Sequence, residues 1–202
     1  MVALETVNTI TPFPIGMGVI HFTSHHSKPT LEGTKMIVNG AGLLLAAPIK
    51  DMATNKQRYH GVSWGLAEAG YDIRIKQEIY FYYCNVWGKR RVRIDGQEMM
   101  DGRFCKASAI EEFQMPKNLL GLVKDKSTWA REGLSVFNTV IEPGWNGFLT
   151  LELVHHGNEN LLIPAGAGIA QVLFERTETA AQYTGKYQDQ DDRPVAAIYE
   201  KG

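Results

Sequence analysis

The sequence predicts an all-β fold, a sandwich or barrel with little helix. Short segments rich in β-branched and aromatic residues recur along the chain, and several alternate between apolar and polar side chains. Turns that contain glycine and proline separate these segments at short intervals, as at residues 143–147 and 164–168. Many short strands joined by such turns are typical of sandwiches and barrels.

The composition limits the number of domains and the classes of partner that we expect. With 202 residues, 44% of them hydrophobic, the chain can bury one sizeable core, and we expect a single domain over residues 1–202. Within it, residues 1–60 give no clear assignment, and the polar residues 176–202 predict a flexible C-terminal tail. A net charge of −1 argues against nucleic acid polymers and acidic membranes as partners.

The cysteine content and the hydropathy pattern favour a cytoplasmic protein. Cys84 and Cys105 are the only cysteines and form no disulfide framework, which is usual in a reducing compartment. No apolar stretch is long enough for a membrane span, and the first residues lack the basic-then-apolar order of a signal peptide. We therefore expect no membrane partner.

The predicted elements follow in chain order. An apolar run at residues 42–48 predicts a short buried strand that ends at Pro48. Residues 85–105 predict a hairpin with turns at Asp95-Gly96 and Asp101-Gly102. Its basic side chains either face solvent, the interpretation that we favour, or contact phosphate. Residues 65–75 predict a glycine-flanked approach that leads into an alternating strand. The other predicted strands are residues 79–84, 107–113, 119–123, 136–142, 148–155, 161–164 and 169–175.

A short basic and hydroxyl-rich run interrupts the strands at residues 126–131. Ser127 is placed to cap a single helical turn that Gly133 ends. A helix N-terminus beside Lys126 and Arg131 predicts an anion site, because backbone donors and positive charges converge there.

Glu152 interrupts an apolar strand. A carboxylate in such a strand is costly to bury without a partner. It is either an outward-facing residue on a half-buried strand or a functional group. The histidines of the chain predict no metal site, and we expect His155 and His156 to lie on the surface.

Five motifs follow one another along the second half of the chain: residues 126–134 (KSTWAREGL), 141–147 (IEPGWNG), 150–152 (TLE), 169–171 (IAQ) and 186–190 (KYQDQ). In this order they resemble the motifs of the dCTP deaminases, a family that shares its fold with the trimeric dUTPases. The resemblance covers about residues 110–192, with a weaker match at residues 70–74 (GYDIR).

This resemblance implies a distorted β jelly-roll of the trimeric dUTPase type, a homotrimer with active sites between subunits, and a nucleotide substrate that carries Mg²⁺. The favoured nucleotide is dCTP, with dUTP and dTTP as further candidates. Glu152 matches the catalytic carboxylate of the deaminases, where dUTPases have an apolar residue. Lys126, Thr128 and Glu142 replace the arginine, serine and aspartate that are usual in the family.

The chemistry of cytosine deamination assigns roles to the catalytic candidates. Glu152 would take a proton from water and pass it on. Ser127 and the backbone carbonyl near Asn138 would hold the water, and Arg131 would orient Glu152 or offset negative charge. The sequence contains neither the H-x-E nor the P-C-x-x-C signature of zinc deaminases, so we expect a zinc-free enzyme.

The remaining candidates would bind the nucleotide. Lys126, Thr128, Lys186 and Gln190 have the chemistry to bind a triphosphate, and Mg²⁺ would be held by the phosphates alone, with no protein ligand. The other residues assigned to substrate binding are Asn138, Glu142, Thr150, Gln171 and Tyr183. Gln171 is either a polar contact near the nucleotide or a strand residue paired to the backbone.

Two alternatives to a dCTP deaminase remain open. The chain is a dUTPase or a bifunctional enzyme, in which Glu142 would activate a second water for pyrophosphate release. Otherwise it is a trimeric β module that binds a nucleotide without turnover. In the enzyme interpretations, the tail at residues 183–193 is expected to close over the triphosphate as a lid.

Overall fold

A computed structural model describes residues 36–200 apart from residues 87 and 138, without the side chains of residues 98 and 99. Its fourteen described strands confirm the predicted all-β class. The strands are β1 (Ile37–Val38), β2 (Lys56–Tyr59), β3 (Val62–Leu66), β4 (Tyr71–Arg74), β5 (Ile79–Cys84), β6 (Lys89–Ile94), β7 (Gln97–Asp101), β8 (Phe104–Gln114), β9 (Leu119–Asp125), β10 (Leu134–Val136), β11 (Val140–Ile141), β12 (Asn146–His155), β13 (Leu161–Ile163) and β14 (Gly168–Arg176); the helices are α1 (Gly40–Ala46) and α2 (Ser127–Arg131).

The strands form three antiparallel sheets, consistent with a distorted jelly-roll. The largest has the order β11-β9-β14-β4-β3-β2, with β1 paired to β14 beyond β4. A three-stranded sheet has the order β10-β12-β8, and a four-stranded sheet has the order β13-β5-β6-β7. Alternate side chains of all three sheets enter one apolar cluster, which includes Phe81, Phe113 and Phe174.

A partly buried ion pair joins two of these sheets. Nε of Arg74, at the end of β4, lies 2.8 Å from Oε1 of Glu111 on β8, and the backbone N–H of Arg74 donates to Oε2 at 2.8 Å. The ring of Trp64 lies 3.9 Å from the guanidinium carbon of Arg74. Burial raises the pKa of Glu111, while Arg74 acts in the opposite direction. The contacts fix β4 against β8.

The strand predicted at residues 42–48 is wrong, because α1 occupies most of that segment. A continuous apolar run does not distinguish a buried strand from a short helix. Of the apolar side chains only Leu43 is buried within α1, and Leu45 is 90% exposed. The helix ends where Ala47 adopts a left-handed conformation with φ of 45°.

The pairing of β6 with β7 confirms the predicted hairpin. Two other expectations for this region are wrong. Arg90 is not a solvated side chain, since its guanidinium donates to the carbonyls of residues 157, 158 and 159, each at 2.8 Å. His155 is not on the surface, because it is 1% exposed and its Nε2 lies 3.0 Å from the carbonyl of Glu132. His156 is exposed, as predicted.

The strand predicted at residues 136–142 is two strands, β10 and β11, which join different sheets. Ser127 does not cap α2, because Lys126 holds the N-cap position and no side chain bonds there. Trp129 fixes the turn instead, by donating its indole N–H to the carbonyl of Gly168 at 2.6 Å. No described helix has the length and apolarity that crossing a membrane requires.

Candidate active site

The site is built on the pairing of β12 with β8. Glu152 of β12 lies directly opposite Lys106 of β8 in the antiparallel register. Because successive side chains of a strand point to opposite faces, Thr150 shares the face of Glu152, and Phe104 shares that of Lys106. Leu151 and Leu153 point the other way and are buried in the core. The apolar alternation of β12 therefore fixes the direction of Glu152.

A cavity of about 440 Å³ opens on this face. The β8–β12 pair forms its floor, the segment from Thr139 to Trp145 forms one side, and the tail forms another. Its lining residues are Phe104, Lys106, Thr139, Val140, Ile141, Glu142, Trp145, Leu149, Thr150, Glu152, Tyr183, Tyr187, Gln190, Val195, Ala196 and Ala197.

The environment of Glu152 favours its protonated form more than water does. Burial raises the pKa of Glu152, and its own backbone N–H and the positive charge of Lys106 act in the opposite direction. A carboxyl group with a raised pKa, placed in a cavity, is suited to accepting and returning a proton.

The tail is seated against the start of β12. Gly147 forms a parallel bridge with Gln190, whose carbonyl accepts a hydrogen bond from the N–H of Phe148 at 3.1 Å. The approach needs glycine, since φ of Gly147 is +124° and a Cβ there would lie 2.5 Å from the nitrogen of Gln190. The indole N–H of Trp145 also donates to the carbonyl of Tyr187 at 2.5 Å.

Thr150 connects the tail to the floor of the cavity. Its hydroxyl donates to Oε1 of Gln190 at 3.3 Å and accepts from the N–H of Val195 at 3.0 Å. Tyr183 is partly buried against the core, and its hydroxyl accepts from the N–H of Tyr187 at 3.3 Å. The tail is thus a wall of the cavity in the single chain.

The residues of α2 lie elsewhere. Ser127, Thr128 and Arg131 are exposed and do not line the cavity, and Arg131 donates to the carbonyl of Ser127 at 3.1 Å. Lys126 is 8% exposed, and its ammonium lies 2.5 Å from Oδ2 of Asp72 and 2.9 Å from the hydroxyl of Ser63. That ammonium anchors the N-terminal end of α2 to β3 and β4.

The structure therefore brings together some of the predicted site residues. Glu152, Glu142, Thr150, Tyr183 and Gln190 line one cavity. The predicted residues that do not line it are Lys126, Ser127, Thr128, Arg131, Gln171 and Lys186. The remaining predicted residue, Asn138, lies outside the described residues.

Sequence reasoning missed Lys106, the residue that faces Glu152. The predicted strand began at residue 107, one position too late to include it. Only the cross-strand register, which local periodicity does not provide, could have paired it with Glu152. Within the described ranges, no group of three or more histidine, cysteine, aspartate or glutamate residues could hold a metal ion.

The part of the chain that contains these residues is similar to known dCTP deaminases. The family model described as dCTP deaminase-like matches residues 49–177, which contain Glu152, Lys106 and α2 but not residues 178–202 of the tail. A dCTP deaminase of Campylobacter fetus is 37% identical over 147 residues, which are 64% of this chain and 78% of that protein. A dCTP deaminase of Chlamydia muridarum is 32% identical over 173 residues, 74% of this chain and 90% of that protein.

The solved structures that match this chain are more distant in sequence. The dCTP deaminase of Agrobacterium tumefaciens is 14% identical, with a TM-score of 0.47 over 71% of this chain and 49% of that one. The EIAV dUTPase is 17% identical, with a TM-score of 0.42 over 74% of this chain and 96% of that one.

Proposed function

The chain belongs to the dCTP deaminase-like family, and we propose that it hydrolyses dCTP to dUTP and ammonia in pyrimidine deoxynucleotide metabolism. The observation that carries the proposal is Glu152, a half-buried carboxylate whose burial raises its pKa, on the floor of a cavity. The described relatives named dCTP deaminase support the choice of substrate.

Glu152 is assigned the proton transfers of the reaction. As a carboxylate it accepts a proton from a water that attacks the ring carbon bearing the exocyclic amine. The proton then passes to the ring nitrogen. Glu152 next takes the remaining proton from the newly added hydroxyl and passes it to the amine, and the C–N bond breaks as the C=O bond forms. The water supplies the new carbonyl oxygen, and ammonia leaves. One carboxylate suffices because it is regenerated in each cycle.

The cavity lining supports a nucleoside-binding role. Thr150 and Gln190 present a hydroxyl and an amide beside Glu152, and these directed groups are suited to a pyrimidine edge or a sugar hydroxyl. Glu142 and Tyr183 line the same cavity and are assigned to the sugar side. The volume of about 440 Å³ lies in the usual range for small-molecule sites.

A second copy of the chain is proposed to complete the site, within a homotrimer. Ser127, Thr128 and Arg131 are exposed on α2 and lie outside the cavity of their own chain. Beside the cavity, Phe104 and Phe137 are 38% and 51% exposed, with ring centroids 6.2 Å apart, so an apolar surface is available for a neighbour. A neighbouring α2 would supply the hydroxyl of Ser127 to the water and the guanidinium of Arg131 to Glu152.

The substrate is proposed to enter as the Mg²⁺ complex of the triphosphate. Lys186 is exposed on the tail and is assigned to the phosphates, together with Thr128 of the neighbouring α2. Lys126 would reach phosphate only by leaving Asp72, so its anchoring role is preferred here. Gln171, partly exposed on β14, is assigned a polar contact near the nucleotide. No zinc is assigned to the reaction.

A second activity is favoured by one observation: Glu142 is an exposed carboxylate that lines the same cavity as Glu152. Such a group could activate a second water against the phosphate chain, which would make the enzyme a bifunctional deaminase and diphosphatase.

One assay tests the proposal. The protein is incubated with dCTP and Mg²⁺, and ammonia and pyrophosphate are measured separately; dUTP is then supplied alone. Ammonia without pyrophosphate is the expected result, whereas both products would establish the bifunctional enzyme. Pyrophosphate from dUTP alone would replace the proposal with a dUTPase, and no product from either nucleotide would favour a binding module.

A further inference from the structure

Lys106 is placed to act on Glu152. The two residues are directly opposed in the β8–β12 register, and both side chains line the cavity. Opposed side chains on one face of an antiparallel pair begin at Cβ atoms about 5 Å apart. The pairing is fixed by the apolar residues around it, because Leu151 and Leu153 are buried and a one-residue slip would expose them.

The other titratable groups in the described cavity lining carry no positive charge. Among the described lining residues, Glu142 is a carboxylate, and Tyr183 and Tyr187 carry hydroxyl groups. Lys106 is the one cation in that described lining. The ammonium of Lys126 is held by Asp72, and Lys126 does not line the cavity.

We propose that Lys106 is a positioning residue for the deamination: its ammonium opposes the effect of burial on Glu152 and directs the carboxylate into the cavity, so that Glu152 accepts the proton of the attacking water. The inference rests on the proposed function, and it adds to it a group that the motifs do not contain. Lys106 acts through Glu152 and touches neither the water nor the ring.

The direction of the effect follows from the charges. Burial raises the pKa of Glu152, whereas its own backbone N–H and the ammonium of Lys106 lower it. Glu152 is a base only above its pKa. Removing the lysine charge therefore raises the pKa and moves the acid limb of the activity profile to higher pH.

The test compares Lys106→Met and Lys106→Arg with Lys117→Met, an exposed lysine outside the cavity. We expect kcat/KM of Lys106→Met to fall severalfold at the acid end of the profile and to recover to within about twofold at the alkaline end, because a higher pKa reduces the ionised fraction of Glu152 only at low pH. Lys106→Arg keeps the positive charge and should keep the wild-type profile, as should Lys117→Met.

Other profiles overturn the proposal. A uniform loss at every pH would mean that Lys106 has only a packing role, and a rise in KM alone would mean that it binds substrate directly. An unchanged profile would remove Lys106 from the reaction altogether.

A titration that needs no turnover separates this inference from the proposed function. The side-chain carboxyl carbons of glutamate are labelled with ¹³C, and the signal of Glu152 is identified by its loss in Glu152→Gln. An upward shift of its titration in Lys106→Met supports the pairing even in a protein that releases no ammonia. An identical titration in wild type and Lys106→Met would overturn it.

Discussion

Lys126 and Asp72 form a buried ion pair in which Nζ lies 2.5 Å from Oδ2, with side chains 8% and 4% exposed. The residues are 54 positions apart, and their contact connects α2 to β4. The second carboxylate oxygen of Asp72, Oδ1, is buried without a hydrogen-bond partner among the described atoms. Asp72 therefore depends on the lysine for compensation of its charge.

We predict that Lys126→Met lowers the free energy of unfolding by about 3 kcal/mol, because it leaves a buried carboxylate unpaired. Urea denaturation measures the change. The double variant Lys126→Met/Asp72→Asn should recover part of the loss, since it buries no unpaired charge. Lys50→Met, which breaks an exposed pair with Glu112, is the control and should change the midpoint little. A loss as small as that of the control would contradict the buried pair.

The second prediction concerns Glu152, the carboxylate on the floor of the cavity. Glu152→Gln should reduce ammonia release by about 10² to 10⁴-fold, because the amide cannot take the proton from water. Binding of dCTP, measured by calorimetry, should persist since the shape of the side chain is retained. The matched control is Glu178→Gln, which changes an exposed glutamate outside the cavity and should retain ammonia release. Near-wild-type turnover by Glu152→Gln would remove Glu152 from the catalytic role.

Subunit mixing tests the shared site. Glu152→Gln and Ser127→Ala are each expected to be inactive as pure proteins. If each site combines Glu152 of one copy with Ser127 of another, co-refolding them in equal amounts should restore about a quarter of the wild-type sites, provided that the copies associate at random. Light scattering would establish the trimer independently. A mixture as inactive as its parents, in a protein that does form trimers, would place both residues in one chain.

A further prediction concerns the removal of zinc. Treatment with a zinc-selective chelator, followed by resupply of Mg²⁺, should leave ammonia release from dCTP intact, because the proposed chemistry uses Glu152 and no bound zinc. The matched control is a zinc-dependent deaminase carried through the same treatment. Stoichiometric zinc that is lost together with activity would contradict the proposal.

Most strands could be predicted because the pattern of side chains within each segment indicates a strand. The segments that became β5, β9 and β14 show apolar and aromatic patterns that need no knowledge of the neighbouring strands. The segment of α1 was predicted as a strand, because its apolar run is compatible both with a buried strand and with a helix that buries one residue, Leu43. Local patterns therefore gave the class and most of the strands.

The site was less accessible to sequence reasoning because it depends on pairing over long distances. Glu152 was found from its place in a strand, whereas Lys106 needed the register of β8 against β12. The motif around α2 suggested that Ser127 and Glu152 act together, yet the fold of a single chain leaves Ser127 outside the cavity. Contacts between elements or between copies are set by tertiary structure, which no local pattern encodes.

The last prediction concerns the tail as a lid. Its residues 183–193 are mostly exposed, yet Tyr183, Tyr187 and Gln190 line the cavity. Ordering the segment costs backbone entropy of roughly 1 kcal/mol per residue, so we expect it to close fully only when a triphosphate adds contacts. Truncation after Arg176 should leave a folded trimer, because the core cluster lies upstream apart from Tyr183, which packs against it. Turnover should fall severely, since water would reach the cavity freely. Hydrogen exchange should show little protection of the tail in the free protein and strong protection with dCTP and Mg²⁺. A truncated protein with undiminished activity, or a tail protected equally with and without nucleotide, would refute the lid.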